Sequence, residues 1–114
     1  MINYEEFAKV EIRIGEIHSA EIVEGADKLL KLMVDVGDVD EAGNSIDRQI
    51  LSGIRMYFED PQVLVGKKFP FVVNLEPRVI RGLTSYGMIL AASSEETLAL
   101  LAPTNDVPAG TKLK

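Results

Sequence analysis

The chain has 114 residues, a formal net charge of −6 and no cysteine. Its length suits one domain with a modest core, and the missing cysteine excludes disulfides, thiolate zinc sites and a cysteine nucleophile. The acidic average charge argues against indiscriminate binding to nucleic acid, which needs a basic surface. Because no signal-peptide pattern and no apolar run of ~20 residues occur, we expect a cytoplasmic domain with no membrane contact.

A helical turn and a long strand are the first predicted elements. Asn3 followed by Glu6 matches a capping box, which predicts one turn of helix before Phe7. Alternating apolar and polar residues then predict a strand over about residues 9–23. The apolar parity of this strand changes at Gly15, which we interpret as a β-bulge that bends it.

A hairpin and a short helix follow along the chain. Alternation over residues 30–36 predicts the second strand, and residues 49–52 are predicted to form the third. The acidic, turn-rich segment 37–47 between them is predicted to be the hairpin tip. Asp60-Pro61 with Gly66 supplies an N-cap, a proline at the first helical position and a terminating glycine, so residues 61–65 form a helix.

Two more strands and a tail complete the pattern. Residues 69–73 predict a fourth strand and residues 88–92 a fifth, while residues 93–114 contain one or two short strands. This order predicts an all-β, five-stranded OB-fold Greek-key barrel with a short helix between strands three and four. We expect a single domain over residues 1–114, with the barrel over about residues 7–92 and an extension over residues 93–114. A small β-sandwich remains the alternative.

The sequence contains little that supports catalysis. It has no nucleophile elbow, P-loop or dinucleotide-binding glycine motif, so we expect neither an enzyme nor a cofactor. His18 is the sole histidine and is interpreted as a surface residue without a metal. The acidic residues 37–47 do not have the ligand spacing of a calcium loop.

The basic residues are more informative than the average charge. Residues 1–60 carry 6 basic and 14 acidic side chains, a net −8, whereas residues 61–114 carry 6 and 4, a net +2. In an OB-fold, nucleic acid lies across strands two and three, between the one–two and four–five loops. Lys31 and Arg48 fall on those strands and Arg78 and Arg81 in the four–five loop, so we expect these cations to converge.

Other polar and apolar residues near this loop have competing interpretations. Asn74 and Ser85 are candidates for hydrogen bonds to sugar or base edges. Lys67 and Lys68 are interpreted as solvated strand ends. Met88, taken alone, is a core residue more often than a ligand contact.

Several segments, in order, resemble one known family. They are residues 7–17, the A-D-K-L segment within residues 25–32, residues 48–54, residues 64–68, and N-L-E-P-R, R-G and S-Y-G-M within residues 74–88. Together they resemble the tRNA-binding OB-fold domain found at the C-terminus of bacterial methionyl-tRNA synthetase and in stand-alone tRNA-binding proteins.

The resemblance implies a dimeric, non-catalytic module that recognises the outer corner of tRNA, either free or next to a synthetase catalytic domain. The H-I-G-H and K-M-S-K-S signatures of class I synthetases do not occur in this chain. The tRNA-contacting positions that the resemblance implies are Lys31, Arg48, Ser52, Asn74, Arg78, Arg81, Ser85 and Met88.

Two residues depart from the family pattern, and two other functions stay open. Glu76 adds a negative charge beside Arg78, and Tyr86 offers a ring for stacking on a base. A secretion-related, peptide-binding chaperone family shares the expected fold but usually lacks the A-D-K-L and S-G-I segments. A dimerisation appendage without RNA affinity is the third interpretation.

Overall fold

The computed structural model describes residues 1–114 and consists mostly of short antiparallel strands. A single α-helix, α1 (Tyr4–Ala8), begins after Asn3, whose side chain accepts a hydrogen bond from the backbone N–H of Glu6 at 2.9 Å. The helix start predicted from the capping residues is therefore confirmed. None of the helices combines the length and apolar character needed to span a bilayer.

Nine strands follow α1 along the chain. They are β1 (Ile12–Ile22), β2 (Leu30–Asp35), β3 (Arg48–Ser52), β4 (Lys68–Val72), β5 (Arg78–Ile80), β6 (Leu83–Ser85), β7 (Met88–Ile89), β8 (Ala91–Ser93) and β9 (Leu98–Leu100). Five of them form one sheet in the order β3-β2-β1-β4-β7, and β5–β6 and β8–β9 form separate hairpins. Each paired strand is antiparallel to its neighbour.

The five-stranded sheet curls into a nearly closed barrel around an apolar core. Phe71 is fully buried in this core, together with Ile17, Leu30, Leu32, Val34, Val36, Ile50, Leu64 and Ile89. The predicted all-β, OB-fold-like barrel is confirmed. The predicted helix between the third and fourth strands is a 3₁₀ helix, Pro61–Leu64, capped by the Asp60 carboxylate, which accepts from Gln62 N at 3.0 Å.

The predicted bulge at Gly15 is wrong. The pairing of β1 with β2 shifts register between Ile17 and Ser19, which places the irregularity at His18. Gly15 instead faces the core, where an added Cβ would lie 2.7 Å from Val34 Cγ1 and 2.8 Å from Phe71 Cδ1. The glycine is therefore required by close packing of strands and not by a bulge.

The C-terminal tail explains why the apolar parity of β1 changes at this point. Ile14 N donates to Thr111 O at 2.8 Å, and Gly110 N donates to Ile14 O at 2.7 Å. The tail thus runs along the start of β1, whose pairing with β2 begins only at Glu16. Ile14 is buried although it points away from the barrel interior, because the tail covers it.

The segment between β4 and β7, expected to be a loop, contains the β5–β6 hairpin. Ile80 pairs with Leu83, which leaves Arg81 and Gly82 as a two-residue turn. Both have positive φ, 53° and 79°, as the tight turns that match strand twist require. The predicted fifth strand over residues 88–92 is divided into β7 and β8, and a second unpredicted element, a 3₁₀ turn at Arg55–Tyr57, follows β3.

Candidate nucleic-acid interface

The register of β2 and β3 decides which side chains share a face. Lys31 pairs with Leu51 and Met33 with Gln49, on the side away from the core. Arg48 pairs with the fully buried Val34, and Ser52 pairs with Leu30, on the side of the barrel interior. The two cations predicted on the central strands, Lys31 and Arg48, therefore project to opposite faces of the β2–β3 ladder.

The β5–β6 hairpin is joined to the edge of β3 by backbone and side-chain hydrogen bonds. The Ser85 hydroxyl accepts from Leu51 N at 2.9 Å and donates to Gly87 O at 3.1 Å. Gln49 Nε2 donates to Thr84 O at 2.8 Å, and Tyr86 N donates to Gln49 O at 2.9 Å. These bonds close the barrel between β3 and the hairpin, and Ser85 is only 4% exposed.

Arg78 and Arg81, which we name the hairpin arginines, are exposed at the base and tip of the hairpin. Each of the ion pairs in the structure joins other residues, so no carboxylate lies within 4.0 Å of either guanidinium. Arg81 is also the only non-glycine residue with positive φ. The turn thus presents a guanidinium to solvent in a backbone conformation that L side chains rarely adopt.

A small cleft of about 120 Å³ lies beside Arg78. Arg78, Glu76 and Met88 line it, together with Leu51 from β3. Met88 is 45% exposed, so it is a surface residue and not core filler. Glu76 lies along the same cleft without forming an ion pair with Arg78, and its charge lowers the local attraction for a phosphate.

Arg48 is occupied inside the protein. Its Nε and Nη2 each donate to the Asp38 carboxylate at 3.0 Å, while Nη1 donates to Val73 O at 2.6 Å and Tyr86 O at 3.0 Å. The guanidinium therefore joins the acidic β2–β3 connection to the end of β4 and to the segment after β6.

The other predicted contact residues are held to different degrees. Lys31 forms an ion pair with Glu21 at 3.1 Å. The Asn74 amide accepts from Glu11 N at 2.8 Å and donates to Lys9 O at 2.6 Å, which ties the N-terminal segment to the end of β4. Ser52 is half-buried at the end of β3. The structure brings Arg78, Ser85 and Met88 together at the cleft, whereas Lys31, Arg48, Ser52, Asn74 and Arg81 lie outside its lining.

His18 belongs to a carboxylate cluster near Arg48. Its Nδ1 lies 3.0 Å from both oxygens of Asp47, and its Nε2 lies 3.4 Å from Glu16 Oε2. The hydrogen bond with Asp47 raises the pKa of His18, and the charges of Asp47, Glu16 and Asp35 add to it, while partial burial opposes the rise. His18 is the residue of β1 that the register shift leaves without a partner on β2.

The sequence interpretation missed several exposed apolar residues next to the hairpin arginines. Leu75 and Val79 are exposed, and Val79 lies on β5 between Arg78 and Ile80. The available signal was Gly82 between Ile80 and Leu83-Thr84, because glycine readily supplies the positive φ that a two-residue hairpin turn requires.

Comparison with known proteins identifies the family of this chain. A sequence model described as "Putative tRNA binding domain" matches residues 12–112. The chain belongs to this family of tRNA-binding domains. A methionine–tRNA ligase of Oceanobacillus iheyensis is 44% identical over 112 residues, which cover 98% of this chain and 16% of the ligase. The chain therefore spans about one sixth of the length of such relatives.

Solved structures of related domains have the same fold. The MetRS-related protein from Pyrococcus horikoshii superimposes with a TM-score of 0.87 at 34% identity, covering 100% of this chain and 98% of that one. The chaperone CsaA of Bacillus anthracis gives 0.82 at 29% identity and covers 100% and 99%. The family predicted from the sequence segments, the tRNA-binding domain related to methionyl-tRNA synthetase, is confirmed.

Proposed function

We propose that this chain is a non-catalytic module that binds tRNA through the β5–β6 hairpin and the adjoining edge of β3. The observation that carries the proposal is the pair of hairpin arginines, exposed and unpaired in a chain of net charge −6. Arginine without an internal carboxylate is available for phosphate oxygens, which accept charge-assisted, bidentate hydrogen bonds.

The cleft beside Arg78 supplies contacts other than charge. Met88 and Leu75 offer apolar surface for a base or sugar, and Tyr86, exposed beside them, offers a ring for stacking. In this proposal Ser85 and Asn74 act through hydrogen bonds inside the protein that hold the hairpin and the end of β4, and Arg48 and Lys31 shape the adjoining face. Ser52 stays a predicted contact at the far end of β3.

The setting of the module follows from its relatives. Because the chain matches about one sixth of the length of methionine–tRNA ligases, we infer that it raises the local concentration of tRNA near a catalytic domain in the cytoplasm.

A homodimer is also proposed. Tyr4, Phe7, Val10 and Leu113 line an apolar cavity of about 370 Å³ between α1 and the tail, which a second copy can cover. Analytical ultracentrifugation at micromolar concentration tests the dimer.

A tRNA titration at several salt concentrations tests the proposed function. We expect binding in the micromolar range that weakens steeply with salt, as counterion release requires. Arg78→Ala combined with Arg81→Ala should reduce affinity about tenfold or more for different tRNAs alike, and should lower the salt slope by ~1.4–1.8.

The control removes the same charge elsewhere. Lys9 and Lys67 are exposed and form no ion pair, so Lys9→Ala combined with Lys67→Ala should change affinity much less. The proposal is wrong if the wild-type protein fails to bind any tRNA at low salt.

Peptide binding is the second candidate function. The exposed apolar residues Leu75, Val79 and Met88 favour it, and so does the likeness to a chaperone. Titration of an unfolded apolar peptide into the same samples separates the two. Peptide binding without tRNA binding would support the chaperone.

A further inference from the structure

A second pair of unpaired cations lies at the opposite end of β3 from Arg48. Lys28 is in the connection between β1 and β2, and Arg55 begins the 3₁₀ turn that follows β3. The two segments are joined because Arg55 N donates to Lys28 O at 3.1 Å. The backbones of two basic residues that are 27 positions apart in sequence are therefore joined.

Neither cation is used inside the protein. No carboxylate lies within 4.0 Å of Lys28 or Arg55, although Glu24 and Asp27 share the loop of Lys28 and Glu59 and Asp60 follow the 3₁₀ turn. Arg48, by comparison, satisfies its guanidinium with four internal hydrogen bonds.

The Arg55 side chain is partly fixed while its end stays free. Its Nε is buried and is the only buried side-chain polar atom without a hydrogen-bond partner. The Nη groups make no hydrogen bond to the protein and remain open to solvent. Burial of the stem limits the freedom of the guanidinium, so an anion that binds its open end loses less side-chain entropy.

This pair lies at the end of the β2–β3 ladder, whose edge is bonded to the hairpin. Lys28 precedes Leu30, which pairs with Ser52, and the next pair along the ladder is Lys31 with Leu51. Leu51 also lines the cleft with Arg78. The β2–β3 ladder therefore connects the hairpin arginines at one side to Lys28 and Arg55 at its end.

Exposed apolar side chains accompany the second pair. Met56 and Tyr57, which complete the 3₁₀ turn, are 68% and 48% exposed. A flat ring beside unpaired cations is the combination that binds the backbone and an unstacked base of a nucleic acid strand.

We propose that Lys28 and Arg55 form a second phosphate contact for the same RNA, with Tyr57 stacking on an adjacent unpaired base. The proposal rests on the proposed tRNA-binding function. It extends the binding surface from the hairpin along β3 to the β1–β2 connection. The flanking acidic residues limit this contact to few phosphates, so its effect is smaller than that of the hairpin arginines.

The test compares variants in tRNA titrations at several salt concentrations. Lys28→Gln combined with Arg55→Gln should weaken binding about three- to tenfold and lower the salt slope by ~1.4–1.8. Lys9→Gln combined with Lys67→Gln is the matched control and should leave the slope nearly unchanged. Thermal unfolding of each variant reports whether it is folded.

Two single variants allow the proposal to be tested even if substitution of Arg55 prevents the protein from folding. Lys28 is exposed, so Lys28→Gln alone should fold and lower the slope by ~0.7–0.9. Tyr57→Ala should weaken binding about fivefold or more, and Tyr57→Phe should restore it because the ring is kept.

The outcomes separate this inference from the proposed function. If the wild-type protein binds tRNA and the Lys28 and Arg55 variants match the control, the second contact does not exist and the hairpin site stands. If the wild-type protein binds no tRNA, the proposed function fails and the second contact fails with it.

Discussion

Arg48 and Arg81 are arginines that the sequence places near the same binding face, and the fold gives them opposite environments. Arg48, at the rim of the barrel, donates four hydrogen bonds to Asp38, Val73 and Tyr86. Arg81, at the hairpin tip, has no carboxylate within 4.0 Å and a φ of 53°. The rim arginine supports the barrel, whereas the tip arginine adopts an unfavourable backbone conformation and stays open to a ligand.

This difference shows that a positive charge in a binding motif has two uses. A guanidinium that fills its donors inside the protein stabilises the fold and contributes little attraction for phosphate. A guanidinium that keeps its donors free attracts phosphate, but it does so at a cost in the stability of the fold. Stability and affinity measurements on matched variants therefore distinguish the two groups of arginines.

The largest expected effect on stability comes from substitution of Arg48 at the barrel rim. Arg48→Ala removes one side of a half-buried ion pair and leaves Asp38 and two carbonyl groups without their donor, so we expect a loss of about 2–4 kcal/mol in the free energy of unfolding. Urea denaturation measures it. Arg78→Ala is the control and should change the value by less than about 0.5 kcal/mol; an equal loss in both would remove the distinction.

Substitution of Arg81 at the hairpin tip should have the opposite effect on stability. Arg81→Asn places a residue that tolerates positive φ at the first position of the turn, so we expect a gain of about 0.5–1 kcal/mol in the free energy of unfolding. The same change should weaken tRNA binding, because one free guanidinium is lost. Arg78→Asn should weaken binding without the gain. A less stable Arg81→Asn protein would contradict this account of the turn.

The smallest expected effect is the pH dependence that His18 gives to the free energy of unfolding. The bond with Asp47 raises the pKa of His18 in the folded state above its ordinary value of 6.5. The folded protein therefore binds this proton more tightly than the unfolded chain does. The resulting stabilisation is complete below about pH 6.5 and is lost as the pH rises through the folded-state pKa.

Comparison of wild type with His18→Gln isolates this contribution. Because the histidine is 43% exposed, solvent screening limits it to about 0.5–1 kcal/mol. Urea denaturation between about pH 5.5 and 8 should show the difference in unfolding free energy shrinking as the pH rises. A difference that is constant over this range would exclude the His18–Asp47 bond as its source.

Local sequence patterns determined much of the fold. The Asn3 cap, the Pro61–Leu64 helix and the alternation of β2 were predictable because each depends on residues within a few positions of one another. The family segments likewise identified the tRNA-binding domain from their order along the chain.

Only the tertiary structure decided how individual side chains are used. Gly15 resembles a bulge in the sequence, yet its role is set by Val34 and Phe71, which approach it from other strands. The parity of β1 changes after Ile14 because Ile14 is covered by tail residues, Gly110 and Thr111, that lie more than 90 positions later in the sequence. The register of β2 and β3 places Lys31 and Arg48 on opposite faces. The carbonyl groups of Val73 and Tyr86 accept hydrogen bonds from Arg48. A sequence records which residues carry charge, but the partners that satisfy each charge come from distant segments, so packing alone leaves Arg78 and Arg81 free.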